Sequence, residues 1–301
     1  VHVVAGHGQI VDEACRLFDR RCRSDTAPAK LADAAGVPVE FPEDEPARAR
    51  AGCLGSLEEV DDLEPVDLAA HPRVQVALEA VRLLVRRSGG EILVRGNCDQ
   101  SPFSLASMMR TPEPWLMDLT DEDQHERVDR LLAYCTDITT QFLKLMAQTG
   151  CHVLSNGDSP AGPDMISPAM YRRFALPWER KVAEQSHALG LPYVLHICGN
   201  TSPILQDMID TGADGLEIDY KTDARQAHDA MKDRSTFFGN LDPSGVLAKG
   251  TPQLVERKTI ELLELFADTP RFVLNSGCAI PASAPAENLH AMIRAAHAFG
   301  S

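Results

Sequence analysis

Two short apolar runs in this 301-residue chain end in side chains that suit a soft or borderline metal. One is Tyr193-Val-Leu-His-Ile-Cys-Gly-Asn200, and the other, about 80 residues later, is Phe272-Val-Leu-Asn-Ser-Gly-Cys278. Apolar runs of this length, closed by glycine and polar residues, have the pattern of buried strands that deliver groups to an active-site rim. His196 and Cys198 stand two residues apart and on a strand share one face. An imidazole and two thiolates, from His196, Cys198 and Cys278, would leave a tetrahedral zinc one position for a catalytic ligand. The competing reading is a histidine and a cysteine that lie on a core strand for packing alone.

Elements that could position these groups recur along the chain. Residues 9 to 22 carry the stripe of an amphipathic helix with Cys15 and Cys22 on its inner face. Residues 24 to 48, broken by four prolines and acidic around Glu43 to Glu45, read as an irregular surface excursion. His71-Pro72 opens a helix that Gly89-Gly90 ends. A strand is expected over 91–95, and Asn97-Cys98-Asp99-Gln100 then reads as the start of a polar loop leading to a helix at Ser101-Pro102. Thr120 with Asp123 resembles a capping box for a long helix ending at Gly150. Further strands are expected over 151–155, 215–219, 236–240 and 271–277. Helices are expected to begin at Ser167-Pro168 (with an interruption at Pro177), Ser202-Pro203, Asp223, Thr251-Pro252 and Pro285.

Strand, polar loop, helix and stop repeat at least five times, which implies a parallel sheet with right-handed crossovers. No Gly-x-Gly-x-x-Gly or Walker-type loop follows any strand, so the usual reason for an open doubly wound sheet is missing. Ligand-type residues instead close nearly every strand: Asn97 to Asp99, Asn156 and Asp158, His196 and Cys198, Glu217 and Asp219, Asn240 and Asp242, and Cys278. Strands emptying into one shared site require that distribution. The expected fold is an α/β (β/α)8 TIM barrel over 31–301, with an unassigned N-terminal helical extension over 1–30.

A net charge of -15 argues against nucleic acid or an anionic membrane surface as partner. No apolar run reaches the roughly 18 to 20 residues that span a bilayer, and the first residues are not a secretory signal. A cytoplasmic protein is expected, and the start at Val1 without Met suggests a trimmed or incomplete N-terminus. Eight scattered cysteines in a chain of this length read as reduced thiols. Cys135 is expected in the core. Cys98 is either an accessory ligand or a small packed residue. His152, His187, His228, His290 and His297 are expected in packing or solvent roles.

His196-Ile-Cys-Gly-Asn, Asp214-Gly-Leu-Glu-Ile-Asp219, Gly239-Asn-Leu-Asp-Pro243 and Ser276-Gly-Cys-Ala-Ile-Pro281 follow one another in an order and spacing that resembles the uroporphyrinogen decarboxylase superfamily. Within it they are closest to the zinc-dependent corrinoid methyltransferases of the methylcobalamin:coenzyme M type. Ser101-Pro-Phe-Ser-Leu-Ala106, Ile166-Ser-Pro168 and Pro285-Ala-Glu-Asn288 extend the resemblance to roughly residues 30 to 300. It implies a (β/α)8 barrel holding Zn2+ on His196, Cys198 and Cys278. It also implies a carboxylate ligand that yields to substrate: Asp219, with Glu217 on the same face as the competing assignment. Asn156, Asp158 and Asn240 are candidates for substrate contact, and loop or helix-start roles compete for all three.

The implied reaction moves a methyl group between a corrinoid, as methylcobalamin or on a separate corrinoid carrier protein, and a small-molecule thiol or related acceptor. Two departures stand out: Arg16, Arg20, Arg21 and Arg23 do not match the arginine motif of the decarboxylases, and Asn97 to Gln100 replace simpler glycine-containing sequence. A metal-free tetrapyrrole decarboxylase and a non-catalytic corrinoid-binding barrel are the rival readings.

Overall fold

Six short runs form the sheet: β1 (Arg95–Gln100), β2 (Val153–Gly157), β3 (Tyr193–Ile197), β4 (Gly215–Ile218), β5 (Thr236–Leu241) and β6 (Phe272–Ser276). They pair in parallel and in chain order. Parallel neighbours need crossovers, and helices supply them, from the long His125–Ala147 between β1 and β2 to Pro252–Leu265 between β5 and β6. The computed structural model describes residues 29–42, 47–88 and 90–300. Among the described residues the parallel strands number six, and no pairing joins β6 back to β1.

Alternation along the strands separates two apolar faces. Leu154, Leu195, Ile197, Leu216, Ile218 and Phe237 belong to the large core shared with the helices. Val153, Val194 and Phe238 form a separate buried cluster, with Val273 packed on it. Side chains of odd and even number point to opposite faces of a strand, so the small cluster lies on the concave, inner side of a barrel wall. Gly215 completes that layer because a Cβ there would stand 2.5 Å from the Phe238 ring. Two residues further along each strand, the inner face turns polar: Ser155, His196, Glu217, Asn240 and Asn275. An apolar floor beneath a polar layer is how this fold aims chemistry toward the C-terminal ends of its strands.

Three expectations about elements need correction. The first strand is β1 over Arg95–Gln100, so Asn97 to Gln100 are strand and not loop. Their polar side chains serve buried backbone: Asp99, at φ 66, accepts from the N–H groups of Ala29 and Leu31, and Asn97 accepts from the Asp99 N–H. The long helix starts at His125, after a 3-10 turn capped by Asp121, while the Thr120 hydroxyl donates to the Met117 carbonyl. The excursion holds a buried helix, Lys30–Ala34, and an antiparallel ribbon of Val39–Glu40 with Arg48–Ala49. The break expected at Pro177 is present, between Pro168–Phe174 and Leu176–Ala188. The helix expected over 9–22 with Cys15 and Cys22, and the arginines at 16, 20, 21 and 23, lie outside the described residues. No helix among the described residues is long and apolar enough to cross a membrane.

Candidate metal centre

β3 and β6 are not neighbours; β4 and β5 stand between them. The curl of the sheet nevertheless brings their ends together. Just past β3, Gly199 takes the left-handed conformation at φ 90, and its N–H donates to Asp219 Oδ2 at 2.8 Å. That turn leaves Cys198 at the mouth. Just past β6, Gly277 lies so close to the next loop that a Cβ would stand 2.4 Å from the Tyr220 nitrogen. Its N–H donates to the Leu241 carbonyl at 2.8 Å, and the Ser276 hydroxyl donates to the Cys278 carbonyl at 2.6 Å. Both glycines let backbone approach backbone where the ligands are presented.

The result is one imidazole and two thiols whose ligand atoms all lie within 4.8 Å of one another. His196 Nε2 is 3.1 Å from Cys198 Sγ, and Cys198 Sγ is 3.7 Å from Cys278 Sγ. His196 Nδ1 faces the Glu217 carbonyl at 2.9 Å, an acceptor, so Nδ1 carries the hydrogen and Nε2 offers its lone pair toward the thiols. All three residues are half-buried. Hydrogen bonds from the Cys198 thiol and from His196 pull Cys278 down to about 4, and the same contact with Cys278 pushes Cys198 up. Burial presses the His196 pKa down, but hydrogen bonding to Cys278 and the charge of Glu217 outweigh it, leaving the net shift upward. One nitrogen and two sulfurs, one short of a tetrahedron, are a donor set suited to zinc.

Both carboxylates of β4 and its end accept hydrogen bonds. Asp219 accepts from the Gly199 N–H through Oδ2 and from the Lys221 N–H through Oδ1. Glu217 accepts from Arg95 Nη2 at 2.7 Å and from Asn275 Nδ2 at 2.9 Å. The candidates for substrate contact hold backbone. Asn156 donates to the carbonyls of Cys98 and Gln100, and Asn240 donates to those of Asp219 and Thr222. Asp158 is fully buried, with Oδ1 accepting from the N–H and hydroxyl of Ser104. Asp242 caps the turn Pro243–Ala248. Cys98 is packed, its Sγ against the Gly96 carbonyl, and Cys135 is core. A groove of about 780 Å3 beside Tyr220, Asn240, Lys258 and Glu261 is lined by none of the three candidate ligands.

The sequence reading missed Arg95, Asn275 and Glu179. Arg95 had a visible signal: a cation opening an otherwise buried strand must find an anion inside. Glu179 shares a helix face with Val182 and Ser186, both buried, so its helical spacing placed it in the core.

Comparison with known proteins agrees with this architecture. The chain is similar to the methylcobamide:CoM methyltransferase MtbA of Methanosarcina mazei, with 32% identity over 294 residues, 97% of this chain and 81% of that protein. The protein of the same name from Methanosarcina acetivorans is 31% identical over 241 residues, 80% of this chain and 68% of its own length. A solved methyltransferase structure from Methanosarcina mazei superposes with a TM-score of 0.82 at 25% identity, covering 95% of this chain and 84% of that one. Residues 29–299 match the uroporphyrinogen decarboxylase (URO-D) family. With the sheet order, the polar strand ends and nine-tenths of the sequence in accord, the chain belongs to the uroporphyrinogen decarboxylase family.

Proposed function

We propose that this protein is a zinc-dependent methyltransferase that moves a methyl group between a corrinoid and a thiol. The observation that carries the reading is the donor set: His196, Cys198 and Cys278 within 4.8 Å at the mouth of the barrel. The names of the most similar relatives, which are methylcobamide:CoM methyltransferases, support it. Zinc, when bound, lowers the pKa of an acceptor thiol so that it is a thiolate at neutral pH.

The chain's own residues supply the rest. Cys198 and Cys278, as thiolates, would offset the charge of a divalent cation and keep a bound acceptor sulfur electron-rich. A set richer in histidine favours activated water instead. His196 is fixed by the Glu217 carbonyl and cannot rotate its Nε2 away without losing that bond. In the transfer, the acceptor sulfur forms a bond to the methyl carbon as the cobalt–carbon bond breaks, with both electrons of that bond staying on cobalt. The corrinoid is a substrate, free or on a carrier protein. Asp219 and Asn240 act as positioning residues, since each secures the backbone of a loop at the mouth, and Asn156 does the same for the end of β1.

Metal analysis of the purified chain tests the reading. About one zinc per chain is expected, retained by wild type and lost in both Cys198→Ala and Cys278→Ala. Zinc-free wild type, or zinc indifferent to both changes, would overturn the reading and leave a tetrapyrrole decarboxylase or a non-catalytic corrinoid-binding barrel.

A further inference from the structure

Between the two cysteine-bearing segments stands a single turn, Asp219-Tyr-Lys-Thr222, at the end of β4. The Thr222 N–H closes it by donating to the Asp219 carbonyl at 3.0 Å. Asn240, on β5, ties the first and last residues of the turn together, since its Nδ2 donates to the carbonyls of Asp219 at 3.2 Å and Thr222 at 3.0 Å.

One side of this turn grips the residue that follows Cys198. The Gly199 N–H donates to Asp219 Oδ2, and the Gly199 carbonyl accepts from the Thr222 hydroxyl at 3.2 Å. The same Thr222 oxygen accepts from the Thr201 N–H at 2.8 Å and lies 3.0 Å from the Thr201 hydroxyl. A hydroxyl has one hydrogen to give and two lone pairs to fill. With its hydrogen on Gly199, Thr222 takes the hydrogens of both Thr201 groups and is saturated. Thr201 and Thr222 are both buried. The other side of the turn meets the residue that precedes Cys278: Gly277 lies against the Tyr220 backbone, with no room for a Cβ.

The turn therefore touches the backbone beside each cysteine. Cys198 and Cys278 follow strands that are not neighbours, yet their sulfurs stand 3.7 Å apart. Ligands of a metal must be held to within about 0.5 Å of their working geometry, by groups that are themselves locked by packing and hydrogen bonds.

We propose that the turn over 219–222 is the template that sets the spacing of Cys198 and Cys278, and that Thr222, through its hydroxyl, is a positioning residue of the metal centre. The proposal rests on the zinc reading above and deepens it. Removing the hydroxyl leaves the buried Gly199 carbonyl and Thr201 N–H without their partner. The segment that presents Cys198 is then free to shift away from Cys278.

The test uses the full chain loaded with Co2+ in place of zinc, followed by sulfur-to-cobalt absorption, with affinity read by competition against a chelator. Wild type should show thiolate absorption that Cys198→Ala diminishes. Thr222→Val, which puts a methyl in place of the hydroxyl, should bind Co2+ on the order of tenfold or more weakly, the scale of effects from residues that orient ligands. Thr222→Ser, which keeps the hydroxyl and loses the methyl, should bind close to wild type. A packing role alone gives the opposite order, because serine leaves the larger void. Wild-type affinity in Thr222→Val, or a Thr222→Ser variant as weak as Thr222→Val, would overturn the proposal while leaving the metal centre standing. No thiolate absorption in wild type would overturn the metal centre and this proposal with it. Should Thr222→Val not fold, Asn240→Ala decides: weakened cobalt binding supports the template, and unchanged binding overturns it.

Discussion

Asp158 and Glu179 are both fully buried, and each has one oxygen without a hydrogen-bond partner among the described residues. Ser104 serves the other oxygen of Asp158, and the Tyr171 hydroxyl donates to the other oxygen of Glu179. Burial pushes Asp158 up to about 6, and burial together with the charge of Asp158 holds Glu179 well above the usual carboxylate range. The native pair therefore keeps protons that the unfolded chain releases near pH 4. Where the native state binds more protons, stability falls as pH rises, by at most about 1.4 kcal/mol per unit for each proton retained. The loss should begin near pH 4 and continue through the raised folded values. Glu179→Gln removes one of the two raised groups and puts a non-titrating amide in its place. Its melting temperature should hold steadier than that of wild type between pH 4 and 7, and denaturation at a series of pH values checks this. The sequence showed Asp158 as a polar residue after a strand. It could not show that the side chain turns back into the core, because that depends on Ser104 and Glu179, 54 residues before it and 21 after it.

At the scale of elements, the strand ends decide the site. Five of the six strands were legible in type and order, since apolar runs of four to six residues flanked by glycine and by helix starts leave little choice, while the strand expected at 91–95 shares only Arg95 with β1. The bounds of β1 were not, because Asn97 and Asp99 have the composition of a loop while serving as acceptors for buried N–H groups. His196, Cys198 and Cys278 were legible as candidate ligands from residue type, spacing and the family resemblance, and the structure brings their ligand atoms within 4.8 Å of one another. Their meeting depends on Gly277, whose fit against the backbone of Tyr220 no local pattern reveals. Gly277→Ala should force the end of β6 away from the loop after β4, at a cost of about 1–3 kcal/mol for overpacking. Because Cys278 is the next residue, zinc affinity should fall as well. Competition with a chromophoric chelator would register that fall. Gly215→Ala is the control, since its Cβ meets the Phe238 ring in the apolar floor: it should lower stability and leave zinc affinity near that of wild type.

For the whole molecule, the candidate ligands span the sheet. Cys198 follows β3 and Cys278 follows β6, 80 residues apart in sequence, with β4 and β5 between them. A metal held by both would cross-link the two ends of a four-strand segment, and the unfolded chain has no such preformed site. A ligand that binds only the folded state adds RT ln(1 + [L]/Kd) to stability, about 2.7 kcal/mol at a hundredfold excess over Kd. Zinc should therefore raise the melting temperature of the chelator-stripped chain in proportion to the logarithm of free zinc, and chelation should reverse the rise. Cys278→Ser should melt close to the stripped wild type and show no such dependence, because Ser replaces a soft thiolate with a poor zinc ligand at almost the same volume. A variant that melts well below the stripped wild type would instead make Cys278 a packing residue. A zinc-dependent increment that survives in Cys278→Ser would place the bound metal outside the mouth of the barrel.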